Sequence, residues 1–385
     1  MIYLDSAATT KIHPAVKEAM ELAEEAAFAN PGSIHSAGWT AKKMVDQARA
    51  QVARVIGAAP QNIIFTSGGS EANSLALLGL IHYLRALNKT RLLFGETEHK
   101  SVLRAAERLS EEGFFVGFLP VDETGAVPLS AVREALRPDT GLVSVMAVNN
   151  ETGAAADLKS IGRYCRGHGV LFHTDCVQAY GKRALDTEEI CADFLSVSAH
   201  KLHGPKGVGC LYVRDKSMIR PLIVGGSQEY GLRAGTENVP GIMGFGKAAH
   251  LAGERLEERK RRGLYSGRNS VRRIAREVLD RLPEVSHVNG LPDPEGGIVN
   301  LRFDRISGES LVLLCSSRGL MISAGSACTA NSNQPSHVLK AMGLRDDEAR
   351  GSVRLSCSDD LTEEEEKEAA EILVRSVKEL TAVLS

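Results

Sequence analysis

Short apolar runs alternate with amphipathic stretches between about residues 60 and 215 of the chain. The runs are typical of buried β-strands, and the stretches between them have the spacing of helices with one apolar face. The runs predict strands at Asn62–Thr66, Arg91–Phe94, Phe114–Leu119, Leu142–Val148, Val170–Thr174, Phe194–Ser198 and Gly209–Val213. The amphipathic stretches include predicted helices at Ser101–Ser110, Ser130–Leu136 and Ile161–His168.

Strands that alternate with helices indicate parallel βαβ units, so the pattern predicts an α/β fold with helices on both faces of a sheet. In such sheets, ligands bind outside the carboxyl ends of the strands. Three polar residues fall at or just past predicted strand ends: Asn149, Asp175 and Lys201. We therefore expect these residues to meet at one edge of the sheet.

The C-terminal part of the chain has a pattern of its own. A strongly basic stretch, Arg255–Arg281, predicts a long surface helix that joins two domains; its basic face is either solvated or a docking surface for an acidic partner. Beyond it, the pattern predicts strands and helices at Ile298–Phe303, Ser352–Ser356, Glu309–Arg318 and Thr362–Leu384. We expect a large α/β domain formed by residues 13–256, and a smaller α+β domain formed by residues 1–12 and 257–385.

Composition excludes several classes of protein. The 385 residues are 24% charged and 43% hydrophobic, which is ordinary for a globular protein, and the net charge of −2 creates no field that attracts nucleic acid or an anionic membrane. The apolar runs are far shorter than the roughly 20 residues of a membrane span. The N-terminus has neither the basic region nor the apolar core of a secretory signal, so we expect a cytoplasmic protein.

Seven cysteines lie at positions 165, 176, 191, 210, 315, 328 and 357. None forms a Cys-x-x-Cys pair, so the sequence has neither a zinc ribbon nor a thioredoxin-type motif, and we expect no metal site. The odd number and wide spacing suit free thiols in a reducing compartment. Most of them should be packing residues, because a buried cysteine behaves as a small hydrophobe.

One lysine and one carboxylate indicate specific chemistry. Lys201 ends the run Ser198-Ala199-His200-Lys201, just past a predicted strand, and Asp175 ends another strand 26 residues earlier. An amine and a carboxylate at the ends of neighbouring strands are the minimum that pyridoxal 5'-phosphate requires. The amine binds the aldehyde of the cofactor as a Schiff base, and the carboxylate keeps the pyridine nitrogen protonated so that the ring accepts electrons.

A glycine-containing segment is a candidate cradle for the cofactor's phosphate. Residues Thr66–Glu71 follow a predicted strand and open the helical run Ala72–Leu84. Glycines such as Gly69 let the backbone approach a ligand, and a helix N-terminus offers unpaired N–H groups. The alternative is a plain tight turn. Ser198 and His200, beside Lys201, are further candidate donors to the same phosphate.

Three other polar residues are candidates for the site, and two of them, His99 and Arg354, have two interpretations each. His99 follows a strand; it is either an exposed loop residue or a group that stacks on the cofactor ring and moves protons. Gln178, three residues after Asp175, is within plausible reach of the ring hydroxyl. Arg354 lies on a late apolar strand, where a charge requires a partner, which is either a substrate carboxylate or a structural salt bridge.

Cys328 lies in a segment of small and polar residues, Gly325–Gln334, that has loop composition and ends at Pro335. Core packing is a poor explanation for a thiol in such a loop. A nucleophile that moves is a better one, with the thiolate as the attacking form.

With these residues placed, the chain resembles the cysteine desulfurases of the NifS/IscS family over essentially its whole length. The matching blocks are Tyr3–Thr10, Asn30–Ser33, Thr66–Glu71, Glu98–Lys100, Val148–Gly153, His173–Asp175, Ser198–Lys201, Arg233–Asn238 and Gly325–Thr329. Several blocks are weak singly, but together and in this order they are highly specific. The loop around Cys328 resembles that of the longer-loop subgroup rather than the SufS-type subgroup.

The resemblance implies a fold-type I enzyme that depends on pyridoxal 5'-phosphate and works as a homodimer with the cofactor near the dimer interface. It implies conversion of L-cysteine to L-alanine, with the sulfur taken by Cys328 as a persulfide. The sulfur would then pass to an acceptor protein, such as an iron–sulfur cluster scaffold or a tRNA-thiolation enzyme. Direct binding of nucleic acid or of a membrane is not expected.

The resemblance also implies roles for individual residues. The catalytic residues would be Cys328, Lys201 and His99. The residues that hold the cofactor would be Lys201, Asp175, Gln178, His99, Gly69, Ser70, Ser198, His200 and Thr236, with Thr236 reaching the cofactor bound by the other subunit. The residues that hold the substrate would be Asn149, Arg354 and Asn30.

Two positions depart from the family pattern, and three other functions compete. Ser70 stands where threonine is common, which keeps the hydroxyl. Cys176 stands where alanine is common, so it either packs or makes the site sensitive to oxidation. An aminotransferase or a selenocysteine lyase would use the same cofactor chemistry. A catalytically silent scaffold is the alternative from another class, and it would have no physical reason to keep Lys201, Asp175 and Cys328.

Overall fold

The computed structural model describes residues 1–262, 270–291, 297–325, 334–358 and 361–384. Its strands are β1 (Ile2–Tyr3), β2 (Ile63–Thr66), β3 (Arg91–Gly95), β4 (Phe115–Leu119), β5 (Thr140–Ser144), β6 (Leu171–Asp175), β7 (Phe194–Ser198), β8 (Gly209–Val213), β9 (Ser286–Val288), β10 (Ile298–Phe303), β11 (Leu320–Met321) and β12 (Ser352–Ser356). Its α-helices are α1 (Pro14–Ala26), α2 (Ser36–Arg54), α3 (Gly69–Leu78), α4 (Ile81–Ala86), α5 (Lys100–Glu111), α6 (Leu129–Ala135), α7 (Leu158–Gly167), α8 (Val239–Arg261), α9 (Ser270–Arg281), α10 (Gly308–Ser317), α11 (His337–Ala341), α12 (Asp346–Arg350) and α13 (Glu363–Leu384). Within these ranges, no helix has the length and apolar character needed to cross a membrane.

The central sheet has seven strands in the order β2-β8-β7-β6-β5-β3-β4. Strands β3, β4, β5, β6 and β7 pair in parallel, as the sequence pattern predicts. Strand β8 is antiparallel to both of its neighbours, so the prediction of parallel units is wrong there. The reason is the connection between β7 and β8, which has only ten residues. A parallel crossover requires about a dozen or more residues.

Both faces of this sheet are covered by apolar side chains. Side chains alternate between the two faces of a strand. Along β7, Leu195 and Val197 belong to one apolar cluster, which helices α1, α2, α7 and α8 cover, whereas Phe194 belongs to another, which α3 and α5 cover. This arrangement confirms the predicted α/β fold with helices on both faces of the sheet.

The strand that leads to Asn149 is shorter than predicted. The pattern predicts a strand at Leu142–Val148, but β5 ends at Ser144. The chain still follows β6, because Ala147 N donates to Asp175 O at 2.9 Å. An isolated bridge then pairs Val148 with Ala155 and folds the chain back on itself. Asn149 therefore lies in a turn beyond the strand.

A second group of elements lies around its own apolar cluster. Strands β12, β10 and β9 form an antiparallel sheet, and β1 pairs in parallel with β11. Helices α9, α10 and α13 cover the cluster, which also contains Ile2 and Leu4 from the N-terminus. The first residues of the chain thus pack with its last third.

The prediction of one continuous basic helix is wrong. Helix α8 ends at Arg261, where the N–H of Arg262 caps it, and α9 begins at Ser270. Residues 263–269 lie outside the described part of the chain. Helix α9 also buries one apolar face against α13, so it is not a purely surface helix.

Candidate active site

The candidate site lies at the carboxyl edge of the central sheet. Strand β6 ends at Asp175, which lies opposite Ser196 of the neighbouring strand β7. Strand β7 ends at Ser198, and a single 3₁₀ turn, Ala199–Lys201, follows it. The structure therefore places Asp175 and Lys201 at the same edge, as their positions after two apolar runs indicate.

The side chain of Lys201 points towards the N-terminal segment. Its Nζ donates to the carbonyl oxygens of Ala7 and Ala8 at 2.5 and 2.6 Å. The Ala7 carbonyl also accepts from Nε2 of Gln178 at 2.9 Å, and Gln178 Oε1 accepts from Lys182 Nζ at 3.0 Å. Lys201 and Gln178 thus share an acceptor, and these polar groups converge on one point.

Asp175 is a buried carboxylate with unused acceptor capacity. Only 4% of the residue is exposed. Its Oδ1 accepts from the backbone N–H of Val177 at 2.9 Å, and its Oδ2 accepts from Nδ2 of Asn73 at 2.8 Å. A carboxylate accepts about four hydrogen bonds, so capacity remains for a cationic N–H donor. A protonated pyridine nitrogen is a donor of this kind.

The glycine segment before α3 has the shape of an anion cradle. Gly68 has φ 155° and ψ −177°, a region that essentially only glycine adopts. A Cβ at Gly69 would lie 2.7 Å from Val177 Cγ2, and one at Gly68 would lie 3.8 Å from Ser198 Oγ, so Ser198 faces the same segment. Ser70 is exposed in the first turn of α3. Unpaired N–H groups at this helix N-terminus suit a phosphate.

The electrostatics at the end of β7 also suit an anion. Burial, together with the ammonium groups of Lys201, Lys206 and Lys182, lowers the pKa of His200 to about 4. His200 Nδ1 lies 3.1 Å from Thr9 Oγ1. Three cations that act on one imidazole mark a region of positive potential. The amine, the buried carboxylate and the cradle together fit pyridoxal 5'-phosphate.

His99 lies beside this group at the start of α5. The imidazole caps the helix, because Nδ1 accepts from the backbone N–H of Ser101 at 3.2 Å. The same Nδ1 lies 2.8 Å from Ser101 Oγ, which accepts from Nδ2 of Asn73 at 2.9 Å. Sequence reasoning missed Asn73 and Ser101. The available signal was a polar residue, Asn73, on the buried face of a helix that follows the glycine segment.

Glu98 is a second residue that sequence reasoning missed. It is fully buried, and neither carboxyl oxygen has a hydrogen-bond partner among the described residues. Burial raises its pKa well above the usual range, the negative charge of Asp175 raises it further, and the backbone of Met146 opposes the shift. Burial and the charge of Asp175 both favour the protonated form of Glu98.

The side chain of Asn149 organises its own turn. Its Oδ1 accepts from the backbone N–H groups of Glu151 and Thr152 at 2.9 and 3.0 Å. Its Nδ2 donates to Thr97 O at 3.0 Å. The same Nδ2 donates to Met146 Sδ at 3.4 Å, so a substrate carboxylate that bound directly to Asn149 would displace one of these two bonds.

Arg354 is paired within the protein. The residue is 1% exposed. Its Nη2 lies 2.6 Å from Asp5 Oδ1, and its Nη1 donates to Asn150 O at 2.8 Å. Its Nε has no partner among the described residues. The structural salt bridge is thus present, and a substrate carboxylate would compete with Asp5 for the guanidinium group.

Two predicted site residues lie at the periphery. Asn30 is exposed, and its Oδ1 accepts from Gly32 N at 2.8 Å. Thr236 is exposed and follows Arg233, whose Nε lies 2.9 Å from an oxygen of Glu71 at the start of α3. In the described part of the chain, no hydrogen bond joins Asn30 or Thr236 to Lys201 or Asp175.

Cys328 lies outside the described residues, but both ends of its segment are anchored near the site. On one side, Ser323 N donates to Arg354 O at 3.2 Å. On the other side, Ser336 Oγ donates to Glu151 Oε2 at 2.5 Å, and His337 Nε2 donates to the carbonyl of Glu98 at 3.0 Å. The segment therefore starts beside Arg354 and ends beside the residue that precedes His99.

Comparisons with known proteins identify the family of the chain. The family model for class-V aminotransferases matches residues 2–367. The mitochondrial cysteine desulfurase of Arabidopsis thaliana is 43% identical, over 98% of this chain and 83% of its own length. The putative cysteine desulfurase IscS 1 of Bacillus subtilis (strain 168) is also 43% identical, over 99% of each chain. The solved structure of a NifS-like protein is similar with a TM-score of 0.87 at 34% identity, over 99% of each chain.

The likeness confirms the predicted fold-type I architecture, and pyridoxal 5'-phosphate is the cofactor of this fold family. The residues at the sheet edge fit that cofactor independently. The chain therefore belongs to the class-V aminotransferase family and, within it, to the cysteine desulfurases of the NifS/IscS type.

Proposed function

We propose that this chain is a cysteine desulfurase that converts L-cysteine to L-alanine and takes the sulfur on Cys328 as a persulfide. The observation that carries the proposal is the meeting of the Lys201 amine, the Asp175 carboxylate and the glycine cradle at one sheet edge. The two anchored ends of the Cys328 segment at the same site support it.

When bound, pyridoxal 5'-phosphate supplies an electron sink that stabilises negative charge on the α-carbon of the substrate. Lys201 would hold the aldehyde of the cofactor, and once released it is the base placed to remove the α-proton. Asp175 would keep the ring nitrogen protonated through its remaining acceptor capacity. Gly69, Ser70, Ser198 and His200 would hold the phosphate, and Gln178 the ring hydroxyl.

The remaining residues of the proposed site act on the cofactor ring or on the substrate. His99 would stack on the cofactor ring and move protons during the reaction. Arg354 would bind the substrate carboxylate in place of Asp5, with Asn149 and Asn30 at the edge of the same pocket. Because Arg354 is almost fully buried, its charge is worth more to a carboxylate there than it would be in water.

Sulfur transfer requires the Cys328 thiolate. Its sulfur forms a bond with the substrate sulfur while the C–S bond of the substrate breaks. The electron pair stays with the β-carbon, which gains a proton and becomes the methyl group of alanine. No outside oxidant is needed, because one thiol and one cysteine give one persulfide and one alanine.

We extend the proposal to the assembly of the protein. It would be a cytoplasmic homodimer in which Thr236 reaches the cofactor bound by the other subunit. Thr236 is exposed, and three consecutive exposed apolar residues, Leu222, Ile223 and Val224, precede it on the same segment. Residues 13–256 would form the large domain, and residues 1–12 and 257–385 the small one, in line with the separate apolar cluster of the second group.

The persulfide would pass its sulfur to an acceptor protein, either an iron–sulfur cluster scaffold or a tRNA-thiolation enzyme. The Cys328 segment is the surface from which transfer would occur. Trapping a covalent complex between the persulfide form of this protein and a candidate acceptor would identify which of the two is the partner.

The proposal is tested by incubating the purified, cofactor-loaded protein with L-cysteine and measuring alanine and sulfide. We expect equal amounts of both products in the presence of a reductant. Cys328→Ala should keep the cofactor absorbance but lose sulfide release, and Cys176→Ala is the matched control that should keep both. Normal turnover by Cys328→Ala would defeat the proposed role. Transfer of an amino group to a keto acid, or a strong preference for selenocysteine, would indicate one of the two related activities instead.

The role of Lys201 has its own test. Borohydride reduction of the loaded protein should fix a pyridoxyl group on the peptide that contains Lys201, as detected by mass spectrometry. Lys206, a nearby lysine, should carry no label. A label on another lysine would mean that the site has been assigned to the wrong amine.

A further inference from the structure

Three hydrogen bonds form a continuous chain from Asp175 to His99. Nδ2 of Asn73 donates to Asp175 Oδ2 at 2.8 Å and to Ser101 Oγ at 2.9 Å. Ser101 Oγ lies 2.8 Å from His99 Nδ1. The members come from three separate elements: β6, α3 and the start of α5. The chain thus links two residues proposed to contact the cofactor ring from different sides.

Asp175 fixes the direction of the two bonds that Asn73 makes. A carboxylate only accepts, so the side chain of Asn73 must present its NH₂ group, which has two hydrogens. One hydrogen is donated to Asp175 and the other to Ser101 Oγ. Because Ser101 Oγ accepts from Asn73, its own hydrogen is available for His99 Nδ1. That nitrogen also accepts from the backbone N–H of Ser101 at 3.2 Å.

The backbone N–H of Ser101 can only donate, so Nδ1 accepts and carries no proton. The neutral imidazole of His99 therefore carries its hydrogen on Nε2. Which nitrogen of a histidine is protonated depends on the partner of the other nitrogen. Here that partner is Ser101, and the orientation of the Ser101 hydroxyl depends on Asn73.

This arrangement of hydrogen bonds lowers the stability of the protein at Asn73. The residue is 1% exposed, and its Oδ1 has no hydrogen-bond partner among the described residues. A buried acceptor without a partner costs roughly 1–3 kcal/mol. Packing alone gives no reason to keep a polar group at this position. This cost is explained if the protein needs both hydrogens of the Asn73 NH₂ group as donors, one to Asp175 and one to Ser101.

We infer that Asn73 and Ser101 are positioning residues that hold His99 as the Nε2–H tautomer and connect its orientation to that of Asp175. The inference rests on the proposed function for its catalytic meaning, since His99 and Asp175 act there on the cofactor. Proton transfer by His99 then takes place at Nε2 alone.

Helix capping by itself does not explain the chain of bonds. The cap on α5 uses the backbone N–H of Ser101, which any residue except proline would supply. Ser101→Ala keeps this cap and removes only the hydroxyl. Ser101→Thr keeps both the cap and the hydroxyl. These two variants therefore separate a structural role from a positioning role.

The test is the ¹⁵N spectrum of protein labelled at the histidine ring nitrogens, recorded with and without pyridoxal 5'-phosphate. The chain has 11 histidines, so the His99 signals are assigned from the pair that His99→Gln removes. We expect the wild type to show a protonated Nε2 and an unprotonated, hydrogen-bonded Nδ1. Ser101→Ala should shift the Nδ1 signal and raise the share of the other tautomer, because only the longer backbone bond of 3.2 Å then holds Nδ1 as an acceptor, and Ser101→Thr should restore the wild-type pattern.

Asn73→Asp is the second arm of the test. The new carboxylate accepts only, so the Ser101 hydroxyl would turn towards it and away from His99, and the spectrum should resemble that of Ser101→Ala. The inference is overturned if wild-type His99 carries its proton on Nδ1, or if Ser101→Ala leaves both ring signals unchanged. If Asn73→Asp does not fold, the two Ser101 variants decide.

Activity gives a separate readout. Ser101→Ala should lower kcat for alanine formation on the order of tenfold with little change in KM, a part of the roughly 10²–10⁴-fold that a positioned acid–base group supplies. Ser101→Thr should recover most of the wild-type kcat. The ring spectra do not depend on the reaction. A protein with the expected tautomer and no alanine formation would therefore contradict the proposed function and leave the positioning role in place.

Discussion

Arg354 Nη2 lies 2.6 Å from Asp5 Oδ1, across 349 residues of sequence. The guanidinium group is almost fully buried, whereas the Asp5 side chain is 20% exposed. Asp5 therefore occupies the charge-compensating position that a substrate carboxylate would take at Arg354. Its removal should act in opposite directions on stability and on substrate binding.

We predict that Asp5→Asn lowers the free energy of unfolding by about 3 kcal/mol, because a buried charge loses its partner. The same change should lower KM for cysteine, because the substrate carboxylate no longer competes with Asp5. Urea unfolding and steady-state kinetics measure the two effects. Arg354→Lys is the matched variant, and it should raise KM because it loses the planar fork of donors. If neither variant changed KM, Arg354 would have only a structural role.

The positions of Asp175 and Lys201 could be predicted from the sequence, because each depends on local features. An apolar run ends, and the next polar side chain lies at the sheet edge whatever the order of the strands. The reversal of β8 could also have been found, since ten residues are too few for a parallel crossover. A pattern of apolar positions does not show which way a strand runs.

The contacts of Asn73, Glu98 and Ser336 could not be predicted from the sequence. Asn73 reaches Asp175 across 102 residues, and Ser336 reaches Glu151 across 185. Such pairs depend on how α3 and α11 dock on the sheet, and the periodicity of a helix shows which face is buried but not what it contacts. The burial of Glu98 could not be predicted for a further reason: a glutamate after a strand predicts an exposed side chain.

Cys176, the departure from the family pattern beside Asp175, should be inert. It is fully buried, and burial raises the pKa of its thiol far above the ordinary value, so almost no thiolate forms. We predict that an alkylating agent leaves Cys176 unmodified in the folded protein and that Cys176→Ala retains normal turnover. The cost in stability should be about 1 kcal/mol or less, for the loss of one buried atom.

Mass spectrometry of alkylated peptides compares the reactivity of Cys176 with that of the other cysteines. The six cysteines of the described ranges are all buried, so Cys328 should react first in the folded protein and all seven only after unfolding. Rapid modification of Cys176 in the folded protein would mean that the site opens far enough to expose it. In that case, the alternative that Cys176 makes the site sensitive to oxidation would hold.

His173 should make the protein less stable in mild acid. Burial lowers its pKa to about 4, against the negative charge of Asp175, which raises it. The unfolded value is about 6.5, so between these values the unfolded state binds a proton that the folded state does not. Stability therefore falls as the pH drops from 6.5 towards 4.

We predict that this histidine alone removes about 2 kcal/mol from the free energy of unfolding between pH 7 and pH 5. Urea unfolding of the wild type and of His173→Gln at both pH values measures it. The variant loses the hydrogen bonds to Ser144 and Ser196, so it should be less stable at pH 7 but should lose less on acidification. Equal losses in the two proteins would show that the histidine is protonated in the folded state at pH 5.

Ser336 should control how the Cys328 segment is presented to the site. Its Oγ donates to Glu151 Oε2 and also accepts from Leu339 N at 3.3 Å, which caps α11. In the sequence, Cys328 lies eight residues before Ser336 and five after Ser323, whose N–H donates to the Arg354 carbonyl. The next residue, His337, fixes the same end to the carbonyl of Glu98.

We predict that Ser336→Ala lowers kcat for alanine formation on the order of tenfold, because the nucleophile is held less well in position for attack. The cofactor absorbance should not change, since neither Ser336 nor Glu151 belongs to the groups that hold the ring or the phosphate. Ser336→Thr keeps the hydroxyl and should keep most of the activity, and Glu151→Gln should lie between the two because it preserves a weaker, uncharged acceptor. A Ser336→Ala protein that turns over normally would show that Cys328 reaches the substrate without this anchor, and the segment would then be positioned from the Gly325 side alone.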